Sequence, residues 1–322
     1  MKRLFGMVAI AVCISCTTVA AQQPYPVKPI RLVVGFAPGG STDVTARIIG
    51  ERFTAAFGQQ VVVDNRSGAG GNIGADLVAK SNADGYTVLM ATTGVMAFNH
   101  YIYSKLPYSA EKDLAPVTQI GALPLILVVP ASLQAKSVKE LVAMAKSQPG
   151  KYSFGTSGVG GATHVTAELF KALAGIDIVH VPYKGSGQMM ADPLTGQVQI
   201  AFDQISSSIV HVKSGRLRVL GISTAQRSAL LPELPTIAEG GVTGYEATSW
   251  NGFAVRAGTP VAVVGRLHQE TRKAVAVPEV KDKLFGLGIE AIASTPAEFA
   301  AHIRAERAKW IPLFKKIGIQ PQ

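Results

Sequence analysis

Four times along this chain a short apolar run ends in a glycine cluster and then opens into a helical pattern. The clusters are Ala37-Pro38-Gly39-Gly40-Ser41-Thr42, Gly68-Ala69-Gly70-Gly71-Asn72, Gly155-Thr156-Ser157-Gly158-Val159-Gly160-Gly161 and Lys184-Gly185-Ser186-Gly187. Strands that alternate with helices predict an α/β fold of parallel sheets covered on both faces. Strands are expected over 30–36, 61–64, 86–92, 125–129, 152–155, 178–181, 198–202, 219–223 and 252–255. Helices are expected over 42–56, 72–80, 137–146, 164–174, 189–194, 209–213, 261–276, 280–287 and 296–316. A chain of 322 residues has room for two such units. No long linker separates them, so the chain is expected to cross between units near 120–124 and to return within 224–250. The expected division is domain one over 22–122 plus 243–322 and domain two over 123–242, with a cleft and a hinge of two or three strands between them.

Residues 1–21 read as a secretory signal. Lys2 and Arg3 precede an apolar stretch over 4–14, and Val19 and Ala21 supply small residues before a cut after Ala21. The apolar stretch is too short for a permanent span. Cys13, Ile14 and Ser15 fit acylation of Cys16 poorly. Cys13 and Cys16 are the only cysteines, so the exported chain would hold no disulfide, no thiol chemistry and no cysteine-ligated metal. Lys and Arg number 31 against 21 Asp and Glu, but the basic residues are scattered. Arg304, Arg307, Lys309, Lys315 and Lys316 recur at helical spacing with Glu306 among them, the pattern of a solvated helix face. No nucleic-acid partner and no cofactor is expected. A small anionic ligand is compatible with the charge.

The glycine loops admit two readings. Glycine lets main-chain N–H groups turn toward a ligand, and the helix that follows offers unpaired N–H groups and partial positive charge, which suits a carboxylate or phosphate. Alternatively the glycines permit tight turns, with Ser41, Thr42 or Asp43 as helix caps. Several such loops at strand C-terminal ends favour a ligand at that edge. Enzyme motifs fail on the same loops. Gly35 and Gly40 have the P-loop spacing, but Ser41 and Thr42 follow where Lys and Ser/Thr are required. The dinucleotide fingerprint breaks at Thr163 and at Ile73, and Val159 spoils a nucleophile elbow at Ser157. His100, His164, His180, His211, His268 and His302 are dispersed, without metal-ligand spacing.

Seven strings then become specific: VVGFAPGGSTDVTAR over 33–47, VVVDNRSGAGGNIGAD over 61–76, DGYTVLMATTG over 84–94, GTSGVGGATHVTAELF over 155–170, VPYKGSG over 181–187, GQVQIAFD over 196–203 and SWNGFAVRAGTP over 249–260. In this order they resemble the Bug family, the extracytoplasmic solute receptors of tripartite tricarboxylate transporters. The resemblance implies a two-lobed type II periplasmic binding-protein fold with a hinge. The two crossings predict a monomer of two lobes, the signal places it in the periplasm, and the failed enzyme motifs argue against catalysis. Such a receptor captures a small carboxylate between its lobes and delivers it to membrane transporter subunits. Two other classes remain open: an exported enzyme on a similar α/β scaffold, and a solute sensor for a signalling partner.

Carried over by position, the resemblance implies that Phe36, Ala37, Gly39, Gly40 and Ser41 line the cleft from domain one, joined by Thr92 and Asn99. Domain two would contribute Ser157, Gly160, Thr163, His164, Tyr183, Lys184, Gly185 and Asp203. Each side chain also has a plainer role: Asp43 as a first-turn cap, Arg66 as a brace for the 68–71 loop, His164 as a packing residue, Lys184 pointing outward. Asp203 would suit loop amides, or an ammonium or hydroxyl on the solute, since a carboxylate would repel it. Gln188, Met189 and Met190 stand where the family usually has Pro-Ala, which would alter ligand contact there. The anion is expected on N–H groups of 39–41 and 158–163, so valine at Gly40 or Gly160 would fill its space.

Overall fold

The computed structural model describes residues 25–228 and 231–316, so the leader expected over 1–21 lies outside the described residues. The chain begins β1 (Ile30–Val34), α1 (Ser41–Phe57), β2 (Val61–Asn65), α2 (Asn72–Ala79) and β3 (Thr87–Thr92). A wide helical turn, Gly94–Phe98, and α3 (Asn99–Ile102) lead into the long β4 (Leu114–Pro130). Then come α4 (Val138–Ser147), β5 (Ser153–Thr156), α5 (Ala162–Ala174), β6 (Val179–Pro182), α6 (Ser186–Met189), α7 (Ala191–Thr195), β7 (Ile200–Gln204), α8 (Ile205–Lys213) and β8 (Leu217–Ile222). The chain closes with β9 (Thr248–Arg256), α9 (Val261–Ala276), α10 (Pro278–Gly286), β10 (Glu290–Ala291) and α11 (Pro296–Lys316).

The strands form two lobes that share β4. The first lobe has the order β2-β1-β3-β9-β4, with β10 added on β4. The second has β4-β7-β5-β6, with β8 also on β4. Residues 114–124 of β4 pair with β9, and 125–130 pair with β7 and β8. The sheet path is therefore continuous through β4, while its hydrogen-bonding partners change between Pro124 and Leu125. The parallel expectation holds for β1–β2, β1–β3, β5–β6 and β5–β7; β9 is antiparallel to both β3 and β4. The front half of β4 escapes the sequence pattern because its pairing with β9 slips between Pro116 and Thr118 and again between Gln119 and Gly121. Proline withholds an N–H from the ladder, and such slips break period-two alternation.

Alternation along β1 divides the first lobe's core. Leu32 and Val34 face Phe53, Phe253 and Leu267, whereas Val33 joins Leu89, Phe98, Trp250 and Phe299 on the other face. The second of these cores runs on through Tyr245 to Phe170 and Phe202, so one apolar layer passes behind both lobes.

Candidate functional site

Each glycine cluster does sit between a strand and a helix, and the caps decide what the helices can offer. Gly40 before α1, Gly161 before α5 and Gln204 before α8 make no side-chain cap hydrogen bond. The first N–H groups of these helices are not taken up by a capping side chain. Asp43, read from sequence as a cap, instead braces the 36–43 loop from behind. Its carboxylate accepts from the Gly39 N–H at 3.0 Å, from Asn65 Nδ2 at 2.9 Å and from Arg47 at 3.0 Å, which lowers its pKa against the opposing effect of burial. Asn65 also donates to the Phe36 carbonyl at 3.0 Å. In the second lobe the Ser157 N–H donates to Thr163 Oγ1 at 2.9 Å, which fixes the loop that opens α5.

Between the lobes these parts line a narrow cleft in which the space open to a water-sized body is about 30 Å3. The first lobe lines it with Phe36, Ala37, Gly40, Ser41, Thr42, Thr92, Ser249 and Asn251. The second lobe lines it with Ser157, Ala162, Thr163, Ser186 and Gln204. The wall is neutral: hydroxyls, amides and helix starts, with no ionisable side chain. Of the residues expected from sequence, Phe36, Ala37, Gly40, Ser41, Thr92, Ser157 and Thr163 are brought together here.

The others lie elsewhere. Asn99 and Gly160 face one another across the lobe joint, where a Cβ on Gly160 would stand 2.6 Å from Asn99 Oδ1. Valine at Gly160 would thus obstruct the joint. Tyr183 and Lys184 line a neighbouring opening with Gly70, Tyr103 and Val159. The Tyr183 hydroxyl donates to Asp192, and the Lys184 side chain is exposed. A Cβ on Gly185 would meet Ala37 at 3.1 Å, so that glycine serves close approach of the lobes, and Gly39 donates its N–H to Asp43 away from the cavity lining. His164 is buried: its Nδ1 accepts from the Gly160 N–H at 3.2 Å and its ring stacks on His180 at 4.3 Å. Burial, with His180 beside it, lowers its pKa to about 3, so it is a neutral packing residue.

Asp203 is fully buried behind the start of α8, with Oδ2 accepting from Ser208 Oγ at 2.8 Å. Burial raises its pKa, opposed by the neighbouring hydroxyls of Ser207, Ser186 and Ser208 and by the Gln204 main-chain N–H. Met189 and Met190 turn into the second lobe's core and Gln188 accepts from the Lys184 N–H at 3.3 Å, so that departure from the family pattern touches packing and not the cavity. Arg66 pairs with Asp64 at 3.0 Å rather than with the 68–71 loop.

Six lining residues escaped the sequence reading. Thr42 and Ala162 simply extend helix starts already singled out, and Ser186 and Gln204 each follow a residue that was named. Ser249 and Asn251 escaped for a physical reason. Ligands are expected at the C-terminal ends of parallel strands, whereas β9 runs antiparallel, so its beginning lies beside the end of β3. Among the described residues no group of three His, Cys, Asp or Glu could hold a metal, and no helix is long and apolar enough to cross a membrane.

The family model for the tripartite tricarboxylate transporter family receptor, TctC, matches residues 45–319. The chain belongs to that family. It is also similar to a Bug protein of known structure. BugD, a periplasmic binding protein, is 31% identical with a TM-score of 0.88, covering 92% of this chain and 100% of its own. Rpa4515 of R. palustris, solved with adipate, is 38% identical with a TM-score of 0.90, covering 93% of this chain and 100% of its own. MatC of Rhodopseudomonas palustris, solved with bound malate, is 27% identical with a TM-score of 0.84, covering 89% and 98%. The TctC fold is thus the two-lobed α/β fold of periplasmic solute-binding receptors, which are not enzymes.

Proposed function

We propose that this chain is a periplasmic receptor that captures a small carboxylate in the interlobe cavity and presents it to the membrane subunits of a tripartite transporter. In this reading lobe one comprises 22–122 plus 243–322 and lobe two 123–242. The carrying observation is the convergence of three helix starts, α1, α5 and α8, on one neutral cavity without side-chain caps. Unpaired N–H groups and helix dipoles favour an anion there, and closure of the lobes over the solute would exclude water and strengthen those bonds. Carboxylate ligands of the similar proteins, adipate in one and malate in another, agree with this chemistry.

The ligand-contacting set within this proposal is Gly40, Ser41 and Thr92 from lobe one with Ser157 and Thr163 from lobe two, closed in by Phe36 and Ala37. Gly39, Asn99, Gly160, His164, Tyr183, Lys184, Gly185 and Asp203 act behind it, by shaping loops and the lobe joint. Export by a leader cut after Ala21 and a monomeric state complete the reading. Mass spectrometry of ligand carried through gentle purification, followed by calorimetry with succinate, malate and adipate, tests it. A bound carboxylate supports the proposal; binding of uncharged or cationic solutes alone overturns it.

A further inference from the structure

We propose that Asp203 couples solute capture to proton uptake: the anion that settles at the start of α8 is joined by a proton on the Asp203 carboxylate, so that solute and proton are taken together. The inference rests on the carboxylate reading above and adds what accompanies the solute. Asp203 lies on β7, one residue before Gln204, the N-cap of α8. Gln204 and Ser186 line the cleft, and Ser186 also neighbours the Asp203 carboxyl, so one side chain separates that carboxyl from the solute. Alternate residues of β7 face opposite ways. Ile200 and Phe202 join the core under α5, while Ala201 joins Ile126, Met189, Met190 and Ile205 on the other face, where Asp203 also points. Asp203 is 0% exposed; Oδ2 accepts from Ser208, and Oδ1 has no hydrogen-bond partner.

The charged groups around it are committed elsewhere. On α8, His211 sits 2.7 Å from Arg216, its pKa lowered by burial and by that Arg, and Lys213 is exposed. Arg218 on β8 donates to the carbonyls of Ala131, Leu133 and Ala135, and Asp192 on α7 accepts from Tyr183. β4, β5 and α6 carry no ionisable side chain, and α5, with His164, Glu168 and Lys171, packs on the opposite face. A buried carboxylate without a cationic partner is costly as an anion. The nearby hydroxyls, the Gln204 N–H and the α8 dipole support the charge, and burial outweighs the hydroxyls and the N–H. A solute carboxylate at the same helix start claims that dipole, sets a second negative charge nearby and excludes water as the lobes close. Each effect favours protonated Asp203. A proton on Oδ1 turns the unpartnered oxygen into a donor for a neighbouring serine hydroxyl. Affinity is then greatest where Asp203 is already protonated, and it falls as pH rises toward the higher pKa of the bound form.

The test is calorimetry with succinate, malate and adipate in phosphate and in Tris at matched pH, because heats that differ between buffers of unlike ionisation enthalpy count the protons exchanged. Titrations run from about pH 6.5 to about pH 8.5, above the range where free carboxyl groups titrate. Wild type is expected to take up roughly half a proton or more per solute at some pH in this window, and to lose up to about tenfold in affinity per pH unit as pH rises. Asp203→Asn, near-isosteric and always neutral, should bind without proton uptake and with affinity independent of pH. Asp203→Ser is the second neutral variant, and thermal melting reports whether each folds. His211→Gln should keep the wild-type uptake. Buffer-independent heats in a wild type that binds, or uptake that persists in the Asp203 variants or vanishes in His211→Gln, overturn the coupling and leave the receptor reading standing. If wild type binds none of the acids, the receptor reading fails and the coupling with it.

Discussion

The phenol of Tyr103 donates to the main-chain carbonyl of Val159 at 2.6 Å, and this bond ties the first lobe to the second. Around it the lobes meet almost without side chains. A Cβ on Gly70 would stand 2.2 Å from the Val159 oxygen, and one on Gly94 would stand 2.8 Å from the Gly160 oxygen. On the far side of the cavity the Ala37 N–H donates to the Lys184 carbonyl at 3.4 Å. Part of the glycine content read as ligand-binding loops is therefore a joint, in which main chain rests on main chain.

Any opening of the cleft breaks the Tyr103 bond, so Tyr103→Phe should shift the lobes toward the open form. The expected loss is about 1 kcal/mol of closure energy, or roughly fivefold in ligand affinity, carried mostly by faster release. Stopped-flow release of bound ligand checks this; an unchanged release rate would show that the bond does not contribute to closure.

Acid should destabilise the fold through the His164–His180 stack. Burial holds His164 near 3 and His180 near 4, against 6.5 in an unfolded chain, with Glu168 Oε1 3.9 Å from His164 Nε2 and Thr156 bonded to His180. At neutral pH both rings are neutral, folded or unfolded. As pH falls below 6.5 the unfolded chain takes up protons that the folded chain refuses, so stability declines until pH reaches the folded values. Melting curves from about pH 7 to about pH 4 should show this decline, and His164→Gln should flatten it. An equal slope in the variant would assign the acid sensitivity to other groups.

Ser223 carries the hinge. Its hydroxyl donates to the Ala247 carbonyl at 2.6 Å and accepts from the Leu125 N–H at 2.9 Å, while its own N–H reaches the Leu125 carbonyl at 2.8 Å. It thus pins the strand leaving the first lobe to the segment returning to it, at the residue where β4 changes partners. Ser223→Ala would leave a buried N–H and a carbonyl unmade, at about 1–3 kcal/mol. A melting temperature within a degree of wild type would count against this role.

The sequence made the strand–glycine–helix units and most of the cavity's helix starts legible, because each is a local pattern: apolar run, glycine, then Ser41 or Thr163 at a helix opening. Asn251 was invisible because its place depends on strand direction, which no local pattern carries. The mutual approach of Asn99 and Gly160 was invisible for the same reason, being a contact between segments some 60 residues apart that only closure of two lobes creates. Asp203 and His164 were legible as unusual residues but not as buried ones, since burial depends on what packs over them.

Gly40 and Gly160 separate the cavity from the joint. A Cβ on Gly40 would meet only the Ala37 oxygen, at 3.9 Å, and Gly40 lines the cavity with φ −77°, a conformation alanine adopts freely. Gly40→Ala should therefore fold and close normally while a methyl group intrudes beside the solute. Gly160 has φ +78°, and its Cβ would stand 2.6 Å from Asn99 Oδ1 and 2.9 Å from the Tyr103 ring. Gly160→Ala should cost about 1–2 kcal/mol of backbone strain and hold the lobes apart. Small-angle scattering over a ligand titration distinguishes the two. Gly40→Ala is expected to contract as wild type does, only at higher ligand concentration, because its joint is intact. Gly160→Ala is expected to stay expanded at every concentration. Contraction of Gly160→Ala at wild-type ligand levels would show that the lobes close without this contact and that the glycine joint is not what sets their closed geometry.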